Sequence, residues 1–520
     1  MHFNKANIHK IILLTIFAVM AVMAVLMFVN PPFSIPDPNS GFEVMRSMQH
    51  GSGFNILITV NPDDLSKNKS EFLTWWSPGQ YLAPYLLSLL FRINVGNASS
   101  IITIVSNLLA VTGFYYFFKE LGFNKPTASV SILFIVCQQI FWIPYTSYNG
   151  GETLLFGFEG WFLYGCAALK KPDLTLFIFV LLSGWIGFMC KLSFIWIYGA
   201  GLLCLWIRLS AAETKLVGWI KKGVWVAIPA IICLVVLYIF FLSKGENPST
   251  PTAAFKPTIQ AIGFPLAQPI LTGFSVDDLL NGLLNPDGKP IFTTTQTILL
   301  LILFAIISVL LIWAILHYVP GTTYKVFIIV FYCVSVVFFV YAYSRQAVIS
   351  YEARHFRLIG LLIAPGVVYG VSRFKFGWRL AFLLICMVLT AQSIQYTKEL
   401  YKINLNTVRG ASGFSLPTID RPSLNYITML DKQSTNAIFA LLTGDVALEI
   451  QHNRILILDE YDKNTERNMT PYNGHAGPVY MLLPAAYANN AVTTMFKYFP
   501  GYKNFVATPL SKNLVLYSAH

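Results

Sequence analysis

The sequence predicts a polytopic α-helical membrane protein that carries a small C-terminal α/β domain. The 520 residues are 55% hydrophobic and only 12% charged, with a mean hydropathy of +0.60, whereas soluble domains have about twice that charged fraction. Many apolar runs approach or exceed the ~20 residues that a spanning helix needs. The C-terminal residues are more polar, which predicts a transmembrane domain over 1–392 and a separate extracytoplasmic α/β domain over 393–520.

Apolar runs of spanning length recur along the first domain and predict about eleven transmembrane helices. The first run is too long for a signal peptide and ends in Asn30-Pro31-Pro32 without a small-residue cleavage site, so we expect it to be retained. The predicted spans are 11–29, 99–118, 127–146, 152–169, 174–190, 193–208, 217–242, 296–318, 324–343, 355–372 and 376–392.

A shorter apolar run at 80–93 decides the topology of every later segment. It follows Ser77-Pro78-Gly79 and contains Pro84, and its length suits a re-entrant or interfacial helix. If it does not span and the N-terminus is cytoplasmic, most basic turns lie inside, as the positive-inside rule requires. The inner turns then hold Lys119, Lys125, Lys170, Lys171, Arg208, Lys215, Lys221, Lys222, Lys325, Arg373, Lys375 and Arg379. We therefore predict a multi-pass protein of the cytoplasmic (inner) membrane with a cytoplasmic N-terminus and an extracytoplasmic C-terminal domain.

The net charge and the cysteines exclude other classes of protein. The formal charge of +12 comes mostly from Lys and Arg at helix ends, so it does not indicate nucleic-acid binding. All seven cysteines lie in or beside apolar runs, which argues against a disulfide framework. The lipid bilayer is the partner that the composition itself indicates.

Several polar stretches share the outer compartment in this topology. They are the outer loops 30–98 and 243–295, the turns 144–152 and 344–354, and the C-terminal domain. Loops of this length in a compact protein are usually lids or binding segments. The loop 243–295 is rich in Pro, Thr and Gly and carries Asp277, Asp278 and Asp287.

The C-terminal domain shows short apolar runs that alternate with helical patterns. Strands are expected near 436–442, 454–459, 478–484 and 512–518, and helices near 422–433, 445–451 and 488–498. This alternation predicts a small α/β domain.

Ionisable residues of both signs are expected at the outer membrane boundary. They are Asp37, Glu43, Arg46, Glu152, Lys191, Arg345, Arg354, His355 and Arg357. Each one alone has a structural explanation. Lys and Arg at helix ends extend to lipid headgroups, and the dipole of a helix favours a carboxylate such as that of Glu152 at its N-terminus. Together they indicate a site for a lipid whose phosphate lies at headgroup depth.

Such a site has a defined chemistry. Arg and Lys can hold the phosphate and stabilise its growing charge as a leaving group, while a carboxylate deprotonates an attacking hydroxyl. Aromatic residues in the same loops offer faces that stack on sugars, although aromatic residues also anchor proteins at membrane interfaces. These are Trp75, Trp76, Tyr81, Tyr145 and Tyr148.

Three stretches of the chain occur in a characteristic order. The first is Asp37 followed by GFEVMRSMQHG ending at Gly51 and by Trp76-Ser-Pro-Gly-Gln-Tyr81. The others are the Gly-x-x-x-Lys turn Gly187-Phe-Met-Cys-Lys191 and the stretch Glu352-Ala-Arg-His-Phe-Arg-Leu358 at the start of a late helix. Together they resemble the GT-C type integral-membrane glycosyltransferases, in particular the protein O-mannosyltransferases and the aminoarabinose transferases of lipid A (glycosyltransferase families 39 and 83). The fold implied is GT-C-like.

The resemblance also implies roles for single residues. Asp37 corresponds to the proposed catalytic base, with Glu43 or Asp64 as alternatives because the chain has Asp37-Pro38 where the family often has Asp-Glu. Lys191 and Arg354 would hold the carrier phosphate, with Arg345, His355 and Arg357 as further substrate-binding candidates beside Trp76, Tyr81 and Tyr148. Glu152 would orient the acceptor or bind a metal.

The implied activity is inverting transfer of a sugar from a polyprenyl-phosphate donor to a glycan, lipid or protein acceptor on the extracytoplasmic face. No cofactor is required by the sequence, and a divalent metal stays an option although no His/Asp cluster has ligand spacing. Two alternatives remain open: a polysaccharide polymerase or ligase that acts on lipid-linked oligosaccharide, and a lipid or sugar transporter.

Overall fold

A computed structural model describes residues 7–245, 254–284, 290–458 and 471–520. The chain forms two compact units. Unit 1 comprises Met1–Val25, Thr103–Tyr145 and Gly151–Glu399, and unit 2 comprises Leu26–Ile102, Thr146–Gly150 and Leu400–His520. Asp287 and the last residue of the expected strand 454–459 lie outside the described residues.

The helices of the membrane part follow the apolar segments of the sequence. Those that lie wholly or partly in unit 1 are α1 (Ile8–Val29), α4 (Val95–Glu120), α5 (Lys125–Val136), α6 (Gln139–Thr146), α7 (Gly151–Ala168), α8 (Leu174–Cys190), α9 (Phe194–Ser210), α10 (Leu216–Phe240), α11 (Ile259–Gly273), α12 (Asn281–Leu284), α13 (Thr294–Tyr318), α14 (Thr322–Ser344), α15 (Arg357–Arg373) and α16 (Phe376–Asn406). Short 3₁₀ helices cover Leu242–Lys244, Asp277–Leu280 and Ala353–Phe356.

All eleven predicted spans coincide with helices, so the prediction of a multi-pass helical membrane protein is confirmed. Seven helices of the described chain are long and apolar enough to cross a membrane, and the pair α5 and α6, bent by 56°, would be an eighth. The other three, α7, α8 and α9, have 17 or 18 residues, or about 26 Å at 1.5 Å per residue. That length is slightly less than the hydrocarbon core of a bilayer.

The outer segment 243–295 contains more regular structure than its sequence indicates. Its central part is α11, in which Pro265, Pro269 and most other residues are buried. This helix packs against α13, α14 and α15. Two internal prolines would break an isolated helix, and here the contacts with three neighbouring helices stabilise it. A 3₁₀ turn and α12 follow before α13 begins at Thr294.

The N-terminal part of unit 2 is built on a short buried helix. The elements here are β1 (Phe33–Ser34), α2 (Pro36–Gln49), β2 (Ile56–Val60), β3 (Asn68–Phe72), α3 (Gly79–Phe91) and β4 (Ser147–Tyr148). Pro36 begins α2, where a proline costs no hydrogen bond. The strands β2 and β3 form an antiparallel hairpin, and β1 pairs with β4 in parallel. With 13 residues, α3 is too short for a full span.

The C-terminal part of unit 2 is a five-stranded mixed sheet. Its elements are β5 (Val408–Arg409), β6 (Ser415–Leu416), α17 (Arg421–Gln433), β7 (Ile438–Leu441), α18 (Gly444–Ala447), β8 (Arg454–Ile457), β9 (Val479–Pro484), a 3₁₀ turn (Ala485–Tyr487), α19 (Ala488–Tyr498), β10 (Val506–Pro509) and β11 (Leu514–Ala519). The strand order is β10-β11-β9-β7-β8. The central strand β7 is parallel to β8 and to β9, whereas β11 is antiparallel to β9 and to β10.

The sheet has a hydrophobic core on each face. Ile438 and Ala440 belong to the core on one side, and Phe439 and Leu441 to the core on the other. A strand that is buried on both faces is continuously apolar, as β7 is. Val60 and Leu65, from the hairpin region, join the first of these cores. The expected α/β character of the C-terminal domain is confirmed, and β10 is one strand that the apolar runs did not indicate.

Candidate functional site

Five of the predicted site residues line one recess in unit 1, which we call the unit 1 recess. They are Glu152, Lys191, Arg354, His355 and Arg357, and they are joined by Glu159, Ser193 and apolar side chains from α7, α9 and α15. The recess encloses about 360 Å³, including the part that is open to solvent.

The backbone positions Lys191 at the break between two helices. Lys191 is the first non-helical residue after α8, and its extended backbone (φ −158°, ψ 134°) separates α8 from α9. Gly187 lies directly against the Phe194 ring, and a Cβ at Gly187 would overlap that ring. The glycine therefore allows α9 to begin at Phe194, three residues after Lys191, which accounts physically for the Gly187-x-x-x-Lys191 spacing.

Glu152 is held beside Lys191 by a close approach of α7 to the end of α8. A Cβ on Gly151, the first residue of α7, would lie 2.8 Å from the carbonyl oxygen of Cys190. Glu152 lies in the first turn of α7, where the helix dipole favours a carboxylate. Its Oε1 is 2.6 Å from the Nζ of Lys191 and 3.3 Å from Nη1 of Arg354.

Arg354 joins this pair to a second carboxylate. Its Nε lies 2.5 Å from Oε2 of Glu352. The side chains of Glu152 and Lys191 are 12% and 18% exposed, so their mutual attraction is weakly screened by solvent. Removal of Glu152 would leave the charges of Lys191 and Arg354 poorly compensated. These two cations therefore require an anion between them.

Arg357 is the cation of the recess with spare hydrogen-bonding capacity. It begins α15, is 8% exposed and packs its guanidinium carbon 3.9 Å from the centre of the Phe156 ring. Its Nε and Nη2 are buried and have no hydrogen-bond partner among the described residues. These two N–H groups form the edge that binds a carboxylate or phosphate with two parallel hydrogen bonds.

Glu159 is the member of the recess that the sequence analysis missed. It is 3% exposed and lies seven residues after Glu152, two turns along the same face of α7. Its electrostatic partners are Arg357 and Lys191. The available signal was a Glu at helical spacing from Glu152 inside a predicted span, because ionisable residues within spanning helices usually face a functional interior.

Arg345 and His355 occupy different positions relative to the cluster. Arg345 follows the last turn of α14 and is not among the residues that line the recess. His355 lines the recess, and its Nε2 lies 3.2 Å from Oγ of Ser350.

The other predicted site residues lie in unit 2. Asp37 is in the first turn of α2 and is half-buried. Glu43 is buried on the same helix, and a Cβ at Gly444 would lie 2.8 Å from its Oε1. Asp64 pairs with Lys67 at 2.8 Å in the hairpin loop. Each remains a candidate base. Asp37 differs from the other two because it is neither buried, as Glu43 is, nor part of the hairpin loop, as Asp64 is.

The three aromatic candidates differ in accessibility. Trp76 is half-buried beside the more exposed Trp75, with 5.7 Å between the ring centroids. Tyr81 and Tyr148 are fully buried in a core cluster of unit 2. The Tyr81 hydroxyl donates to Oδ1 of Asn55, and that of Tyr148 donates to the carbonyl oxygen of Gln80. Both tyrosines thus have packing roles, and sugar binding by them stays a prediction.

No group of three or more His, Cys, Asp or Glu side chains within the described ranges converges as a metal site. Glu152 is ion-paired with both Lys191 and Arg354. That it orients the acceptor or binds a metal stays a prediction.

Comparison with known proteins identifies the fold. No protein-family model matches the chain, and neither does the sequence of a curated protein. A crystal structure of ArnT from Cupriavidus metallidurans, bound to undecaprenyl phosphate, has a TM-score of 0.50 at 12% identity, with 97% of each chain covered. A cryo-EM structure of a variant of the arabinofuranosyltransferase AftD from Mycobacteria has a TM-score of 0.48 at 12% identity, covering 96% of this chain and 41% of that chain. The likeness to ArnT across both chains confirms the GT-C-like fold that the sequence resemblance implied.

Proposed function

We propose that this protein is a membrane glycosyltransferase that takes a sugar from a polyprenyl-phosphate donor and transfers it, with inversion, to an acceptor on the extracytoplasmic face. The observation that carries the proposal is the unit 1 recess. In it Lys191 and Arg354 are ion-paired with Glu152, and Arg357 has an edge without a hydrogen-bond partner among the described residues, within a GT-C-like fold. The structural relative that binds undecaprenyl phosphate supports the choice of donor.

The recess suits the phosphate of the donor. Lys191 and Arg354 supply charge, and Arg357 supplies two N–H groups in the planar geometry that matches two phosphate oxygens. As the bond to the sugar breaks, negative charge grows on the phosphate. Cations already held in place stabilise that charge without reorganisation, and removal of one such group typically slows a reaction by about 10²–10³-fold.

The transfer step also requires a base, for which Asp37 is our candidate. The acceptor hydroxyl loses its proton to the carboxylate while its oxygen forms a bond to the anomeric carbon. The bond between that carbon and the phosphate oxygen breaks, and the polyprenyl phosphate leaves with the electron pair. A single displacement of this kind inverts the configuration at the anomeric carbon. General-base catalysis typically contributes about 10²–10⁴-fold.

The test is transfer from a lipid-linked sugar by the full chain in vesicles. We expect Asp37→Asn to lower turnover by about 10²-fold or more without weakening donor binding. Asp63→Asn is the matched control, because Asp63 is an exposed carboxylate of the same outer loop. Unchanged turnover in Asp37→Asn would remove Asp37 from the chemistry. Uptake of the lipid or sugar by the wild-type chain without a covalent product would instead favour the transporter alternative.

A second variant tests the phosphate site. Arg357→Gln removes the unpartnered edge and should weaken binding of a polyprenyl phosphate by about tenfold or more, since a hydrogen bond to a charged group contributes about 1.5–3 kcal/mol. Lys170→Met is the control, because Lys170 is an exposed cation in the turn between α7 and α8. Equal binding by wild type and Arg357→Gln would contradict this assignment.

A further inference from the structure

Unit 2 contains a cavity of its own that is lined in part by basic side chains, and we call it the unit 2 cavity. It lies among α2, the hairpin β2–β3 and the start of β8, and encloses about 620 Å³, including its part open to solvent. Four of the residues that line it carry cationic or basic groups: Arg46, His50, His452 and Arg454. None of the described residues that line it is acidic.

Arg454 has the same unused edge as Arg357. Its Nη1 donates to the carbonyl oxygen of Leu65 at 2.7 Å and to Oδ1 of Asn68 at 3.4 Å. Its Nε and Nη2 are buried and lack a hydrogen-bond partner in the described part of the chain. Burial lowers the pKa of Arg454 because its charged form is poorly solvated. A buried guanidinium edge that makes no hydrogen bonds is unfavourable by itself, and an oxyanion would satisfy both N–H groups.

The frame of the unit 2 cavity is held by Arg46 and Asp431. Arg46 donates from Nε to the carbonyl oxygen of Ile450 at 2.6 Å and from Nη2 to that of Asn453. Asp431, which is 2% exposed, accepts hydrogen bonds from the backbone N–H groups of residues 451–453.

The same carboxylate fixes His452 at the cavity. Oδ2 of Asp431 lies 3.0 Å from Nδ1 of His452, whose side chain is 58% exposed. Asp431 is therefore committed to the segment that precedes β8, and it is not among the residues that line the cavity. The groups left to face a ligand are basic or neutral donors, which selects for an anion.

We propose that the unit 2 cavity binds an oxyanionic sugar, with the phosphate or carboxylate on the Nε/Nη2 edge of Arg454. The rest of the sugar would lie along Thr59 and Asn68, which line the same cavity and hydrogen-bond neutral hydroxyl groups. The choice of a sugar as the carrier rests on the proposed function, whereas anion binding by Arg454 does not. An acidic glycan that bound here would be held by unit 2 independently of the donor.

Isothermal titration of the full chain in detergent micelles tests this proposal. The probes are inorganic phosphate, glucose 6-phosphate, glucuronic acid and neutral glucose. We expect one of the two anionic sugars to bind at least tenfold more tightly than glucose, and the difference between them identifies phosphate or carboxylate as the recognised group. Absence of saturable binding by phosphate and by both anionic sugars would overturn the proposal.

Variants locate the binding and separate it from glycosyl transfer. Arg454→Gln should weaken binding at least tenfold, and Arg454→Lys, which keeps the charge but lacks the two-pronged edge, should weaken it less. His452→Ala changes a more exposed lining residue and should also weaken binding. It provides the test if Arg454→Gln fails to fold. Arg421→Gln, on the exposed start of α17, should bind as wild type does.

One further variant separates the two sites. Lys191→Met, in the unit 1 recess, should retain binding of the anionic sugar, and loss of binding there would overturn the assignment to unit 2. Binding that depends on Arg454 in a chain without transferase activity would refute the proposed function and leave this site in place. Transfer activity in a chain that binds no anionic sugar would refute the unit 2 site and leave the proposed function in place.

Discussion

Glu152 is the carboxylate that Lys191 and Arg354 share in the unit 1 recess. It lies 2.6 Å from Lys191 and 3.3 Å from Arg354, and the three side chains come from α7, the end of α8 and the segment before α15. Without an anion these two cations would repel each other in a poorly solvated place. Under the proposed function, the carboxylate would hold both cations where the donor phosphate can meet them.

We predict that Glu152→Gln destabilises the ligand-free chain by about 3 kcal/mol, the lower end of the cost of breaking a buried ion pair. Polyprenyl phosphate should then stabilise the variant more than the wild type, because it supplies the missing negative charge. Thermal unfolding in detergent, with and without polyprenyl phosphate, measures both effects. Glu399→Gln, an exposed carboxylate near the end of α16, is the control. A loss of stability that polyprenyl phosphate does not reduce would mean that Glu152 has a structural role alone.

Asp277 gives unit 1 a stability that depends on pH. Burial, and next the neighbouring charge of Asp278, raise the pKa of Asp277 from 3.8 to about 6. A folded-state pKa above the unfolded value means that the protonated carboxyl favours the folded state. That contribution is complete below about pH 4 and is lost as the pH rises through about 6.

Asp277→Asn should therefore unfold at a higher temperature than the wild type at pH 7.5. Its free energy of unfolding should be larger by at most about 3 kcal/mol, since one pKa unit corresponds to about 1.4 kcal/mol. At pH 4 the two proteins should unfold alike. Thermal unfolding followed by tryptophan fluorescence at both pH values makes the comparison. A stabilisation that is equal at pH 4 and pH 7.5 would contradict the role of ionisation.

The residues of the unit 1 recess could be predicted from the sequence only in part. Lys191, Arg354 and Glu152 interrupt or flank apolar runs, and that placement identified them. Glu159 lies within a predicted span at helical spacing from Glu152, but this spacing does not show which residues on other helices the carboxylate faces. The burial of Tyr81 and Tyr148 could not be predicted either, because an aromatic residue in an outer loop has the same sequence pattern whether it is exposed or packed.

At the scale of elements, apolar length predicted the membrane helices well, and compositional polarity predicted the outer segments poorly. The region around α11 contains Pro265, Pro269 and many polar neighbours, so its local sequence indicates a loop. Its helical state depends on contacts with α13, α14 and α15, which no local pattern encodes. The break between α5 and α6 is similar, because Gln138 at the bend donates to the carbonyl oxygen of Gly273.

The close packing of α11 against α15 depends on Gly360. A Cβ at this position would overlap the carbonyl group of Thr272 and lie 2.8 Å from the backbone nitrogen of Gly273. We predict that Gly360→Ala lowers the free energy of unfolding by about 1–3 kcal/mol, because the overlapping atoms belong to a backbone that must move as a unit.

A glycine in the same helix provides the control for this change. Gly370 also lies in α15, but a Cβ there would meet no atom within 4 Å. Gly370→Ala should therefore stabilise the chain by about 0.5–1 kcal/mol through helix propensity. Chemical denaturation of both variants in detergent gives the two signs, and a stabilisation by Gly360→Ala would show that α11 can move away at little cost.

At the scale of the whole molecule, the distribution of basic residues predicts which ends of the helices face the cytoplasm. Lys170 and Lys171 lie between α7 and α8, and Lys215 lies between α9 and α10. Arg208, Lys221 and Lys222 lie in the adjoining ends of α9 and α10. The positive-inside rule puts both turns in the cytoplasm. Successive helices alternate in direction, so the N-terminal turn of α7, with Glu152, and the end of α8, with Lys191, are expected at the outer boundary. The proposed reaction requires this side, since its acceptor is extracytoplasmic.

Single cysteines in a chain without its seven native cysteines test this orientation. Lys512→Cys, in the loop between β10 and β11, should react with a membrane-impermeant maleimide in intact cells. Ala212→Cys, in the exposed turn between α9 and α10, should react only after the membrane is opened. The two positions are compared in the same cells, so differences in expression do not decide the outcome. If Ala212→Cys reacted in intact cells and Lys512→Cys did not, the recess would face the cytoplasm. A donor and an acceptor on the inner face would then have to replace those proposed above.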